Sequence, residues 1–196
     1  GVRELAEATD ATAVVPERAR ERGLGFEAAT VGEGDTLDVG GTAVEAVYAP
    51  GHTTDMTAFL VGGVLLAGDS VFVESVARPD LEVDDDGVAD LARELYATLH
   101  DRFGAFEDGT LVAPGHHGEG VTPGNDGSYT ATLGTLRETL ALYGLPEAAF
   151  VDRITSGIGP RPANDTEIIA INLGHRSVDR ETALELELGP NNCAAG

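Results

Sequence analysis

The chain has 196 residues, with no lysine and 34 acidic residues against 12 arginines, for a formal net charge of −22. That length suits one ordinary domain, which buries roughly 70% of the surface its unfolded form exposes, and the 42% apolar content can fill its core. The charge excludes a nucleic-acid partner held by phosphate neutralisation, because no basic stripe exists; a membrane partner is excluded likewise, since the longest apolar stretch, residues 57–67, is too short to span a bilayer and is broken by Gly62-Gly63.

Carboxylates spread along the whole chain, with lysine absent, point to a salt-loving source. At molar salt the Debye length shrinks to about 3 Å and the self-repulsion of such a chain is screened. The single cysteine, Cys193, permits no intramolecular disulfide. A reducing interior, the cytoplasm, is the expected compartment. No signal peptide is visible, and the chain begins at Gly1 instead of Met, so a missing upstream segment is expected.

In chain order, residues 2–9 read as a helix with Val2, Leu5 and Ala6 on one face. A short strand at 13–15 and a helix opened by Pro16 follow. At Thr36 the period changes to two: Leu37 and Val39 alternate with Asp38, Gly40-Gly41 turns the chain, and residues 42–48 resume the alternation, which predicts a hairpin. Residues 58–61 and 64–67, joined by Gly62-Gly63, form a second hairpin with unbroken apolar arms. Such arms predict a sheet buried on both faces. Residues 83–87, with Asp84, Asp85 and Asp86, read as a solvated loop. A helix over 88–103 places Val88, Leu91, Leu95 and Leu99 on one face, and 110–113 is a further strand. Helices are predicted over 129–143, 146–158 and 165–173, the last a buried-looking run, with the tail from Gly189 unstructured or an edge extension. The class is α/β, in layers.

One four-residue word occurs twice. Ala49-Pro50-Gly51-His52 follows the strand 42–48, and Ala113-Pro114-Gly115-His116 follows the strand at 110–112. Between them the strand 64–67 ends in Gly68-Asp69. Strand ends in an α/β sheet line up along one edge, where ligand sites form. Histidine, aspartate and histidine there are the vocabulary of a zinc or iron site, because imidazole and carboxylate suit both metals. His52, Asp69 and His116 are therefore the candidate metal ligands, with Asp69 also the candidate catalytic group. His100 and His175 read as structural, and His117 as lining the edge beside His116. A serine nucleophile elbow, a dinucleotide fingerprint and a phosphate loop are all absent from the sequence.

Pro50-Gly51-His52-Thr53, Gly68-Asp69-Ser70-Val71-Phe72 and Pro114-Gly115-His116 resemble the later metal motifs of the metallo-β-lactamase superfamily. Ala77-Arg78-Pro79-Asp80-Leu81 looks like a segment of its persulfide dioxygenases and their rhodanese-linked relatives, which hydroxyacylglutathione hydrolases share less completely. Pro160-Arg161-Pro162-Ala163-Asn164 extends the likeness more loosely. The resemblance implies an αββα four-layer sandwich, here N-terminally truncated, with residues 1–196 forming the later part of one domain and 129–188 its mainly helical region. The family's His-x-His-x-Asp-His segment is nowhere in the chain, so the chain alone is expected to bind metal poorly and to be inactive.

For the intact protein the resemblance implies one iron per chain held by His52, Asp69 and an upstream histidine, acting on a persulfide. The alternative is two zinc ions, bridged by Asp69 with His116 on the second, hydrolysing a thioester. Arg78 would hold a small-molecule thiol or thioester substrate, with Asp80 orienting it. A homodimer and a rhodanese domain in the intact protein belong to the same expectation. A metal-free binding module is the reading from outside enzymology.

Overall fold

The computed structural model describes residues 2–118, 120–161 and 164–188. Cys193, Pro162, Ala163 and the tail from Gly189 lie outside the described residues. The contacts of the described residues divide into two compact units, one formed by residues 33–160 and the other by residues up to 32 together with residues 161–188.

The larger unit is built on a six-stranded sheet: β3 (Thr36–Val39), β4 (Thr42–Tyr48), β5 (Thr57–Val61), β6 (Val64–Gly68), β7 (Leu111–Pro114) and β8 (Ala131–Thr132), in that spatial order. Both predicted hairpins are present: Val39 pairs with Thr42 across the first turn and Val61 with Val64 across the second. All neighbours are antiparallel except β6 and β7, which run parallel with a register shift between Leu66 and Gly68. The chain between them carries α2 (Asp85–Ala97), which continues through a π-type turn at Thr98–Arg102. After β8 come α3 (Leu133–Thr139) and α4 (Glu147–Gly157).

Val88, Leu91, Leu95 and Leu99 are all buried, as their spacing predicts. Leu95 and Leu99 join Val47, Ala58, Leu65, Ala67 and Val112 from the strands, and Leu133, Leu136, Phe150 and Ile154 from the later helices, in one core. Burying a side chain of this size contributes about 1.5–3 kcal/mol. Tyr143 joins the same cluster, and burial pushes its phenol up to about 12.

Three expectations need correction here. The sheet is not buried on both faces along β6: Leu65 and Ala67 are fully buried, while Leu66 between them is 43% exposed. An unbroken apolar run hides the alternation that the pleat imposes. The helix predicted over 129–143 is replaced by β8, the short α3 capped by the Thr132 hydroxyl, and a 3₁₀ turn at Ala141–Gly144. The acidic run at 83–87 is not all loop; from Asp85 onward it opens α2.

The smaller unit holds α1 (Val2–Ala8), the parallel pair β1 (Val14–Pro16) and β2 (Ala29–Val31), α5 (Asp165–Asn172) and α6 (Arg180–Leu188). Pro16 ends β1 and precedes one 3₁₀ turn, Glu17–Arg20, in place of the predicted helix. The run at 165–173 is helical but contains no buried residue, and Val2 and Leu5 of α1 are exposed. Among the described residues, no helix is long and apolar enough to cross a membrane.

Candidate metal site

β4 and β6 are each antiparallel to β5, and β7 is parallel to β6, so these three strands end at one edge of the sheet. The residues that follow them are the two repeated words and Gly68-Asp69. The topology therefore does what the repeated word predicts: it brings His52, Asp69 and His116 together.

His52 is 6% exposed, with Nδ1 3.0 Å from the Arg78 carbonyl oxygen. A carbonyl oxygen only accepts, so Nδ1 carries the proton and Nε2 is the other pole of the ring. Nε2 lies 3.8 Å from Asp69 Oδ2. The second oxygen of the same carboxylate, Oδ1, accepts from His116 Nδ1 at 2.6 Å. Asp69 thus stands between two imidazoles. The His116 side chain is the open member of the set, 40% exposed.

The scaffolding of the first word is dense. Thr98 Oγ1, buried in the π-type turn, donates to the Pro50 carbonyl at 2.7 Å, and buried Ser70 Oγ donates to the Ala49 carbonyl at 3.3 Å. Gly51 has φ +140°, and a Cβ there would lie 2.5 Å from Leu95 Cβ and 2.6 Å from Leu95 Cα. Only glycine lets α2 approach the strand end this closely. In the second word, the Gly115 amide donates to the Gly68 carbonyl at 2.7 Å. A Cβ at Gly115 would meet Asp69 Oδ1 at 2.9 Å.

Arg78 and Asp80 lie one layer behind His52. The Arg78 side chain is fully buried; Nε and Nη2 donate to Asp80 Oδ1 and Oδ2 at 2.7 and 2.9 Å, while Nη1 donates to the Pro160 carbonyl and Nη2 to that of Gly159, at 3.1 and 2.7 Å. The guanidinium thus meets backbone and a buried carboxylate, a placement that its sequence neighbourhood does not announce.

His117 stacks face to face on Tyr129, with centroids 3.7 Å apart and planes 6° from parallel. His100 is held between the carbonyls of Tyr96 and Tyr143, each 3.0 Å from a ring nitrogen, and the His175 ring contacts the Gly23 carbonyl. Sequence reading missed three neighbours of the site. Tyr129 stacks on His117; Glu74 accepts from the Gly118 amide; and Glu82 Oε2 accepts from the Thr54 amide at 2.7 Å, closing the loop after His52. Single carboxylates in so acidic a chain carry no signal of their own.

The donor chemistry fits the metal that the resemblance implies. A neutral His52 Nε2 and the Asp69 carboxylate are both acceptors, and 3.8 Å is a separation that one ion bonded to each at about 2.0–2.2 Å can span. The set is short in number: among the described residues, no three His, Cys, Asp or Glu side chains are grouped to hold a metal.

No protein-family model matches the chain. A protein of Mycobacterium leprae is 32% identical over 104 residues, covering 52% of this chain and 44% of that one. The mouse mitochondrial persulfide dioxygenase ETHE1 is 28% identical over 94 residues (47% of this chain, 35% of that one), and the hydroxyacylglutathione hydrolase of Idiomarina loihiensis is 38% identical over 78 residues (40% and 30%). The matched part therefore spans less than half the length of each curated relative. Among solved structures, a metallo-β-lactamase from Staphylococcus aureus superposes with a TM-score of 0.78 at 24% identity, covering 92% of this chain and 57% of that one. ETHE1 from Myxococcus xanthus superposes with a TM-score of 0.72 at 25% identity, covering 88% and 69%.

Proposed function

We propose that this chain, which has the metallo-β-lactamase fold, contributes His52 and Asp69 to a mononuclear iron site in an enzyme that oxidises a small thiol persulfide with dioxygen. The observation that carries this reading is the division of labour at Asp69: one carboxylate oxygen faces His52 Nε2 and the other is held by His116 Nδ1. In such an arrangement His116 orients the carboxylate from behind, as outer partners of metal ligands commonly do. The likeness to the mouse persulfide dioxygenase supports the same reading. An iron ion bound there supplies oxygen chemistry. The chain's own part is to hold His52 in the Nδ1–H tautomer, to fix Asp69 through His116, and to leave the edge open on the His116 side. A third ligand would be a histidine from the His-x-His-x-Asp-His segment implied for the intact protein, and a salt-adapted cytoplasm is the proposed setting.

The second reading, a dinuclear zinc hydrolase of thioesters, is favoured by the likeness to the Idiomarina hydroxyacylglutathione hydrolase and by the exposure of the His116 ring toward the open edge. In that case Asp69 would bridge two ions and His116 would hold the second. The intact protein separates the two. One iron per chain, with oxygen uptake on a thiol persulfide that largely survives His116→Ala, is the expected result. Two zincs per chain, with one lost and thioester hydrolysis abolished in His116→Ala, would establish the hydrolase. Oxygen uptake at background with the iron-loaded protein would overturn the dioxygenase reading.

A further inference from the structure

We infer that Arg78 is a positioning residue of this site, locking the His52 imidazole through the Arg78 carbonyl, and that it does not grip substrate. The inference rests on His52 being a metal ligand, as proposed above.

The Arg78 guanidinium carries five N–H donors in a rigid fork. Its bonds to both Asp80 oxygens and to the Gly159 and Pro160 carbonyls are all internal, and the side chain is fully buried. Asp80 is itself 7% exposed. A substrate carboxylate could reach the fork only by displacing the buried Asp80 carboxylate or the carbonyls of Gly159 and Pro160, at the cost of the bonds they accept.

The backbone of the same residue faces the site. Its carbonyl oxygen is 3.0 Å from His52 Nδ1. Immediately before it, the Ala77 amide donates to the Ser70 carbonyl at 3.3 Å, and Val71 forms a bridge with Val76. The segment is therefore pinned to the loop after Asp69 on one side. On the other it is pinned, through the guanidinium, to the residues that follow α4. The Arg78 carbonyl is fixed by its own side chain, and with it the tautomer that turns the Nε2 lone pair toward Asp69. Lysine cannot substitute, since a point charge with three rotatable donors lacks the fork that spans Asp80 and two carbonyls.

The test uses the full chain, metal-free, with imidazole ¹⁵N resonances reporting the His52 tautomer, followed by Zn²⁺ titration of the intact protein in competition with a chelator. In the unaltered chain His52 is expected as a single Nδ1–H tautomer. Arg78→Lys is expected to average the tautomers and to weaken Zn²⁺ binding by about tenfold or more. Asp80→Asn, nearly isosteric, is expected to do the same to a smaller degree and serves if the lysine variant does not fold. In the intact enzyme, kcat should fall with KM nearly unchanged. An unaltered His52 signal and Zn²⁺ affinity in both variants, with a raised KM, would overturn the inference and leave the proposed function standing. An averaged His52 signal with unchanged Zn²⁺ affinity would uphold the positioning role and overturn the assignment of His52 as a ligand.

Discussion

The two Ala-Pro-Gly-His corners share four letters and almost nothing else. At the first, the proline carbonyl, the alanine carbonyl and the histidine Nδ1 each meet a partner from a different segment, and α2 lies directly on the glycine. At the second, the histidine side chain is 40% exposed and leans on one carboxylate, Asp69. The first corner is part of the core and its geometry is set by packing; the second is held at an open edge by the His116–Asp69 contact and by the Gly115 amide's bond to the Gly68 carbonyl. A repeated word thus marks where a site lies, while the surroundings decide which copy is rigid. Rigid ligands sit on packed elements, and adjustable ones at their open edges.

The two glycines should divide most sharply. Gly51→Ala sets a Cβ against the Leu95 backbone at a positive φ, and is expected to lower unfolding free energy by about 3 kcal/mol or more in urea titration. Gly115→Ala, without the positive φ of Gly51, meets the Asp69 carboxylate oxygen at 2.9 Å and the Gly68 backbone at 3.3 Å, so about 1–2 kcal/mol is expected, with a displaced Asp69 carboxylate. Equal losses at the two positions would break the comparison.

The packed side also holds Tyr143, whose buried hydroxyl has no hydrogen-bond partner among the described residues. Its folded value of about 12 exceeds the ordinary 10.0, so the unfolded chain loses its proton first as pH rises. Stability should therefore decline between about pH 10 and 12, by roughly 2–3 kcal/mol from this group alone. Tyr143→Phe should abolish that component and raise the thermal midpoint at neutral pH. A midpoint lowered by the phenylalanine would show that the hydroxyl has a partner after all.

The smallest effect expected is at Thr98. Thr98→Val removes the donor to the Pro50 carbonyl and should cost about 1 kcal/mol in the same urea titration. Because nothing at the second corner depends on Thr98, the His116 imidazole resonance should not move. A shift there would mean that the corners are coupled.

The site was more legible than its supports. Two-residue glycine turns between apolar arms identify both hairpins, and the residues after three like-directed strands identify His52, Asp69 and His116. The face of α2 could be read from the spacing of Val88, Leu91, Leu95 and Leu99 because burial there follows the helical period. Arg78 is harder, since an arginine beside an aspartate looks the same in sequence whether it faces solvent or is sealed inside. β8 is hidden because two residues of strand inside a helix-spaced run carry no periodicity of their own. Leu66 is misjudged because an all-apolar strand gives no clue to which face is covered. Packing across distant segments decides each of these, and no local pattern encodes it.

The parallel pairing of β6 beside β7 in the six-stranded sheet has a consequence for how the site comes into being. Asp69 and His116 are separated by 47 residues of chain, and α2 lies within the crossover that joins β6 to β7. Closing so long a crossover is slow compared with forming the local hairpins β3–β4 and β5–β6. The His52 corner can begin to form with its hairpins, whereas the Asp69–His116 pair awaits the last long-range closure. In refolding, the sheet should gain its local strand signals first and the Asp69–His116 contact last, so that strand formation and assembly of the candidate site separate in time.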